Sequence, residues 1–119
     1  MSKKLGQDGE EVAVAYLRAH GYEIIEQNYT CKIGEIDIVA QEGKTLCFVE
    51  VKTRVTDREH PFEAIHRRKQ YKLVRLAQYY LKEKYGHVDI SARFDVVAVS
   101  QMPDGVLDAQ LLKNAFDAA

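Results

Sequence analysis

The sequence predicts an α/β domain built on a mixed sheet, with its elements in the order αβββαβ and a short helix at the end. Three observations predict it. Apolar residues recur at helical spacing in two stretches, one near the start of the chain and one in its middle. Short runs rich in Ile and Val, bounded by turn residues, lie between and after those stretches. Three strands in succession, then a helix and a further strand, call for one layer of sheet covered by helices and containing a mixture of strand directions.

The first helix is expected from about Gly6 to His20, stopped by Gly21. Glu10, Ala13, Val14 and Leu17 follow i, i+3, i+4, i+7 spacing, which puts Glu10 at the head of the inward face and Glu11 on a more exposed one. Tyr22 to Asn28 reads as a strand, and Gly34 to Gln41 as the next. Glu42-Gly43-Lys44 is a tight turn, after which Thr45 to Thr53 returns, so these two strands form a hairpin. Arg54 to Pro61 is polar, with charges of both signs, and is expected to be a mobile loop. A long helix follows from about Phe62 to Tyr85, ended by Gly86. At about 100° per residue, Ile65, Leu73, Leu76, Ala77 and Tyr80 fill one apolar arc, and Arg68, Lys72, Arg75 and Lys82 form a separate basic stripe. Lys69 falls in the apolar arc, so its ammonium either snorkels past a helix end or reaches over the sheet edge towards the carboxylates or a bound phosphate. Val88 to Ser100 contains a strand, clearest at Phe94 to Val99. Pro103-Asp104-Gly105 makes a turn, and Leu107 to Phe116 is expected to be a short helix.

A chain of 119 residues suits one domain with one core. A formal net charge of −1 carries no global signature of a nucleic-acid binder. Cys31 and Cys47 lack both zinc-ligand spacing and the density of a secreted disulfide scaffold, and are expected to be reduced, buried thiols. The first six residues do not resemble a signal peptide, and no run approaches the roughly 20 apolar residues that span a bilayer. A soluble, cytoplasmic protein with no membrane partner is the expectation.

Two strands hold charges among their apolar residues. Glu50 and Lys52 are two apart and face one side, with Val49 and Val51 on the other; Glu35 and Asp37 likewise share a face, with Ile36 and Ile38 opposite. Such charges must pair, reach water or hold a metal. Mg²⁺ takes oxygen ligands, commonly one or two carboxylates. Asp37 and Glu50 can supply those, and the Val51 carbonyl a further oxygen. Lys52 would then orient the attacking water and stabilise charge on the phosphorus. Between Lys52 and Arg75 the chain has eight basic residues against three acidic ones, which leaves the rest net acidic. A basic strip beside an acidic cluster suits a phosphodiester enzyme: cations hold the polyanion and acids hold the metal. A solvated helix face is the structural alternative for the stripe.

Other candidates are weaker. His20, His60, His66 and His87 show no paired metal spacing. Asp95, after Arg93-Phe94, is expected in a structural ion pair. Tyr71, Tyr79 and Tyr80 suit base stacking or packing in a core or interface.

Glu35-Ile36-Asp37 followed by Glu50-Val51-Lys52 resembles the PD-(D/E)xK nuclease signature, with Ile36 in place of the motif's proline. More closely, Gly9-Glu10 with Ala13, Tyr16-Leu17 and Gly21-Tyr22, then Gly34 to Asp37, Phe48 to Lys52 with Arg54, Lys69, and Arg93 to Val97 resemble the small bacterial YraN family. That resemblance spans nearly the whole chain. It implies a single restriction-endonuclease-like domain over 1–119, akin to archaeal Holliday-junction resolvases. It also implies Asp37, Glu50 and Lys52 as catalytic positions and Glu10 as a further metal ligand. The expected substrate-binding residues are Arg54, Arg68, Lys69, Lys72 and Arg75. Three functions follow as alternatives: an Mg²⁺- or Mn²⁺-dependent endonuclease acting on DNA, including branched DNA; a catalytically silent nucleic-acid-binding module; or an interaction subunit whose carboxylates are only ion-paired. Homodimerisation fits the resolvase resemblance, since two cuts need two sites.

Overall fold

A computed structural model of the chain describes residues 2–55 and 67–116. Its elements are α1 (Lys3–Ala19), β1 (Glu23–Cys31), β2 (Gly34–Glu42), β3 (Thr45–Arg54), α2 (Arg67–Tyr85), β4 (Ala92–Gln101) and β5 (Leu107–Phe116). The strands form one five-stranded sheet in the order β1-β2-β3-β4-β5. β3 and β4 are parallel and every other neighbouring pair is antiparallel, so the sheet is mixed as expected. The loop expected from Arg54 to Pro61 and the first turn of the long helix, with Ile65, His60 and His66, lie largely outside the described residues. None of the described helices is long and apolar enough to cross a membrane.

α1 starts three residues earlier than expected because Ser2 caps it: the Ser2 Oγ accepts a hydrogen bond from the Leu5 amide at 3.0 Å. That satisfies one of the donors a helix start leaves without a partner. The helix ends where Gly21 takes φ +88°, a conformation open to glycine at little cost. α1 buries Leu5, Gly9, Ala13, Val14 and Leu17, and packs on one face of the sheet against Ile38, Ala40, Cys47, Val49, Val97 and Val99. α2 covers the other face, where Leu73, Leu76, Ala77, Tyr80 and Leu81 meet Tyr29, Ile36, Val39, Phe48 and Phe94. Cys47 is buried as expected, whereas Cys31 is only half-buried; both are free thiols.

The tail corrects the sequence reading. Leu107–Phe116 is a strand, paired antiparallel with β4 from Gln101↔Leu107 onward. The turn at Pro103-Asp104-Gly105, closed by the Gly105 amide on the Met102 carbonyl at 2.8 Å, folds the chain straight back along β4. Leu107, Ala109 and Leu111 then pack beneath α1 while Asp108 and Gln110 face water. The pattern Leu107-Asp108-Ala109-Gln110-Leu111 has a period of two, which a helix cannot bury on one side.

A second correction bears on the site. Ile36 and Ile38 do not share a face: Ile36 packs under α2 and Ile38 under α1. The alternation breaks at Asp37. Ladder pairing between β2 and β3 begins only at Ile38↔Val49. On β1 the pairs on either side are Gln27↔Ile38 and Tyr29↔Ile36, so the residue opposite Asp37 is Asn28, which has φ 55°. Asn tolerates this left-handed conformation better than most residues. The sheet is therefore kinked across both strands where the acidic residues lie.

Candidate metal and nucleic-acid site

At that kink α1, β2 and β3 converge. One carboxylate oxygen each from Glu10, Glu35 and Asp37 lies within 4.8 Å of the others. Glu10 comes from the inner side of α1, and Asp37 from the irregular point of β2, with Glu35 two residues before it. The Val51 amide donates to Asp37 Oδ2 at 2.8 Å and ties the carboxylate to β3. Val51 thus enters the site through its N–H. Asp37 is half-buried, and its pKa is pushed up to about 7, first by desolvation, then by repulsion from Glu50, with Glu10 and Glu35 adding to it and the Val51 amide opposing it. Glu10 is also shifted upward, by desolvation and by Glu35, against a hydrogen bond from Asn28. None of the three carboxylates has an ion pair among the described residues. A group of mutually repelling carboxylates, two of them half-buried and Glu35 exposed, offers hard oxygen donors that fit a divalent cation such as Mg²⁺ or Mn²⁺.

Glu50 stands apart from this group. Its Oε1 bonds Lys69 Nζ at 2.9 Å, with the Glu50 side chain only 12% exposed and that of Lys69 54% exposed. Of the two readings of Lys69, the reach towards the carboxylates is the one observed. The pair raises the Lys69 pKa, chiefly through the hydrogen bond, against desolvation. Lys52, two residues beyond Glu50 on β3, is half-buried on the same face of the strand.

Two grooves flank the carboxylates. One of about 240 Å³ lies on the α1 side and is lined by Gln7, Glu10, Asp37, Val51 and Thr53 among others. The other, of about 350 Å³ on the α2 side, is lined by Glu35, Arg68, Lys69, Lys72, Leu73 and Leu76. The basic stripe of α2 therefore borders the carboxylates through Arg68 and Lys72. Arg75 is exposed one turn further on and is not among the lining residues. Arg54 turns towards β4, where its Nε donates to Ser100 Oγ at 3.1 Å.

Two residues of the site were missing from the expected ligand set. Glu35 carried a signal, since it shares the strand face of Asp37. Asn28 was detectable only by counting the β1–β2 register outward from its turn, where Cys31 pairs with Gly34. The expected ion pair of Asp95 is present on β4, where Asp95 pairs with Val49 in the ladder. There Arg93 Nε meets Asp95 Oδ1 at 3.0 Å, and Tyr22 Oη and the Asn114 amide donate to the same buried carboxylate. His20 stacks on Tyr16, and His87 Nδ1 accepts from the Asp89 amide, so both have local structural roles. Tyr80 is buried in the core, whereas Tyr71 is 68% exposed.

A family model described as "Uncharacterised protein family UPF0102" matches residues 9–99. A UPF0102 protein of Caldicellulosiruptor saccharolyticus is 47% identical over 96% of this chain and 98% of its own. One from Symbiobacterium thermophilum is 47% identical over 99% of this chain and 100% of its own. Among solved structures, Pyrococcus furiosus SfsA in complex with Ca²⁺ is similar with a TM-score of 0.45 and 14% identity, over 91% of this chain and 62% of that one.

Proposed function

The chain belongs to the uncharacterised protein family UPF0102, and from its site we propose that it is a metal-dependent endonuclease hydrolysing phosphodiester bonds in DNA, branched or otherwise structured DNA included. The observation that carries this reading is the convergence of Glu10, Glu35 and Asp37 within 4.8 Å, next to Glu50 and a groove lined by cations. Those carboxylates would hold Mg²⁺ or Mn²⁺. When bound, such an ion withdraws charge from the phosphate and lowers the pKa of a coordinated water.

The remaining work falls to the chain's own groups. The Val51 amide fixes Asp37 by a hydrogen bond, so one ligand is held in place before any ion arrives. Lys52 shares a strand face with Glu50, so its ammonium can orient the attacking water and offset charge developing on the phosphate oxygens. Arg68, Lys69 and Lys72 supply cations to the phosphates along the α2 side. Cleaving both strands of a junction requires two such sites, so a homodimer belongs to the same reading, as does a cytoplasmic location.

The test is cleavage of linear, flap and four-way-junction DNA with Mg²⁺ or Mn²⁺, by the wild type, Asp37→Ala and Lys52→Ala. The wild type is expected to cut and each variant to lose at least about 100-fold, typical for a general acid–base or charge-stabilising group. A wild type that cuts nothing with either metal, or three proteins that cut equally, would sink the proposal. One observation favours the second reading, binding without turnover: Glu50 is occupied by Lys69. A protein that binds DNA but gives no heat with divalent metal would support it.

A further inference from the structure

Glu50 and Lys69 pose a conflict within the site. A carboxylate paired at 2.9 Å with an ammonium is a poor metal ligand, because the ammonium and the ion repel one another at such range. The same pair quiets the site while it is empty of metal, since Glu50 is the largest charge raising the Asp37 pKa. Lys69 also has somewhere else to go. Its side chain is about half exposed and lines the α2-side groove with Arg68 and Lys72. Lys72 is already seated there: its stem lies against Gly34, where a Cβ would come within 2.9 Å of Lys72 Cε. Three cations on one wall of a groove of about 350 Å³, beside a carboxylate cluster, present a seat for a phosphate carrying negative charge.

We propose that this groove is a subsite for a backbone phosphate of the nucleic acid, and that phosphate bound there draws Lys69 off Glu50 and frees that carboxylate for the divalent cation. The inference rests on the metal-dependent reading of the site. Lys69 acts as a positioning residue that keeps Glu50 neutralised until substrate arrives, so nucleic acid and metal bind cooperatively. Linkage makes the coupling reciprocal: the factor by which DNA tightens metal binding is the factor by which metal tightens DNA binding.

The experiment is calorimetric titration of Ca²⁺ into the full chain, alone and with a saturating short DNA duplex, with duplex alone as the blank for ions it binds itself. Ca²⁺ takes oxygen ligands as Mg²⁺ does, and heat reports binding whether or not the protein turns over. For the wild type, duplex is expected to tighten Ca²⁺ binding by about 5-fold or more, the lower end of common allosteric couplings. Lys69→Met keeps the stem and removes the charge. It should bind Ca²⁺ several-fold tighter than wild type without DNA, with the coupling reduced towards unity. Lys44→Met, an equal loss of charge at the exposed β2–β3 turn, should keep the wild-type coupling. A wild type without coupling, or a Lys69→Met protein with the wild-type coupling, overturns the inference and leaves the nuclease proposal standing. Coupling without cleavage in Mg²⁺ or Mn²⁺ sinks the nuclease proposal alone. Absence of Ca²⁺ binding in every protein, with and without DNA, sinks both.

Discussion

Among the described residues Asp37 accepts one hydrogen bond, from the Val51 amide, and it faces repulsion from Glu50, Glu10 and Glu35 in a half-buried position. Its folded-state pKa of about 7 lies well above the ordinary 3.8. Below pH 4 the group is protonated folded or unfolded and contributes nothing. Between about pH 4 and 7 the folded state holds a proton that the unfolded state has lost, so stability falls as pH rises through that window. Above about 7 the penalty is complete. In chelator, Asp37→Asn should therefore match wild type near pH 4 and exceed it by about 2 to 4 kcal/mol at pH 8, at about 1.4 kcal/mol for each tenfold change in the proton equilibrium. The Asn carbonyl can still accept from the Val51 amide, so the comparison isolates the charge. Urea unfolding at both pH values measures it, and a variant less stable than wild type at pH 8 would show that Asp37 is held by attractive partners instead. A carboxylate that strains the metal-free fold fits the proposed role of Asp37 as a metal ligand.

At the scale of elements, Glu10 is only as well placed as α1, and α1 is seated by Gly9. A Cβ on Gly9 would fall 3.0 Å from Thr53 Cγ2 and 3.1 Å from its Cβ, and nearer still to Oγ1. Glycine inside a helix costs about 1 kcal/mol relative to alanine, so its presence here marks close packing on β3. Gly9→Ala should lose about 1 to 3 kcal/mol net through overpacking, and should weaken Ca²⁺ binding by lifting Glu10 away from Asp37. Adding Thr53→Ala should recover part of both, whereas loss of stability with unchanged metal affinity would detach Glu10 from the ligand set. Such elements were readable in the sequence where their periodicity was clean. The inward face of α1 followed from Ala13, Val14 and Leu17 at helical spacing, and the β2–β3 hairpin followed from Glu42-Gly43-Lys44. β5 was misread because Leu111-Leu112 interrupts the alternation that Leu107, Ala109 and Leu111 maintain. The kink at Asn28 and Asp37 was hidden for a different reason: it depends on the register between two strands, and periodicity within one strand carries no register. For Lys69 the helical angle gave the direction of the side chain but not its partner, since Glu50 arrives from another element.

Across the whole molecule, the two helices bring opposite charges to one end of the sheet. α1 contributes Glu10 on one face and α2 contributes Arg68, Lys69 and Lys72 on the other. With a net charge of −1, the chain as a whole offers a polyanion no attraction at long range. On the proposed function, DNA affinity then comes from this local patch, within about a Debye length of it, roughly 8 Å at physiological salt. That makes the salt dependence diagnostic. Each phosphate neutralised by Lys or Arg contributes about −0.9 to the slope of log K against log salt concentration. Combined substitution of Arg68, Lys72 and Arg75 by alanine should weaken duplex binding and reduce the magnitude of that slope by about 3, if all three meet phosphates. The same substitutions leave Glu10, Glu35, Asp37 and Glu50 in place, so Ca²⁺ binding in the absence of DNA should persist. Fluorescence anisotropy over a salt series measures the slope. A triple variant with the wild-type affinity and slope would put the nucleic acid on another surface, and the carboxylates would then lack the substrate that gives their convergence a purpose.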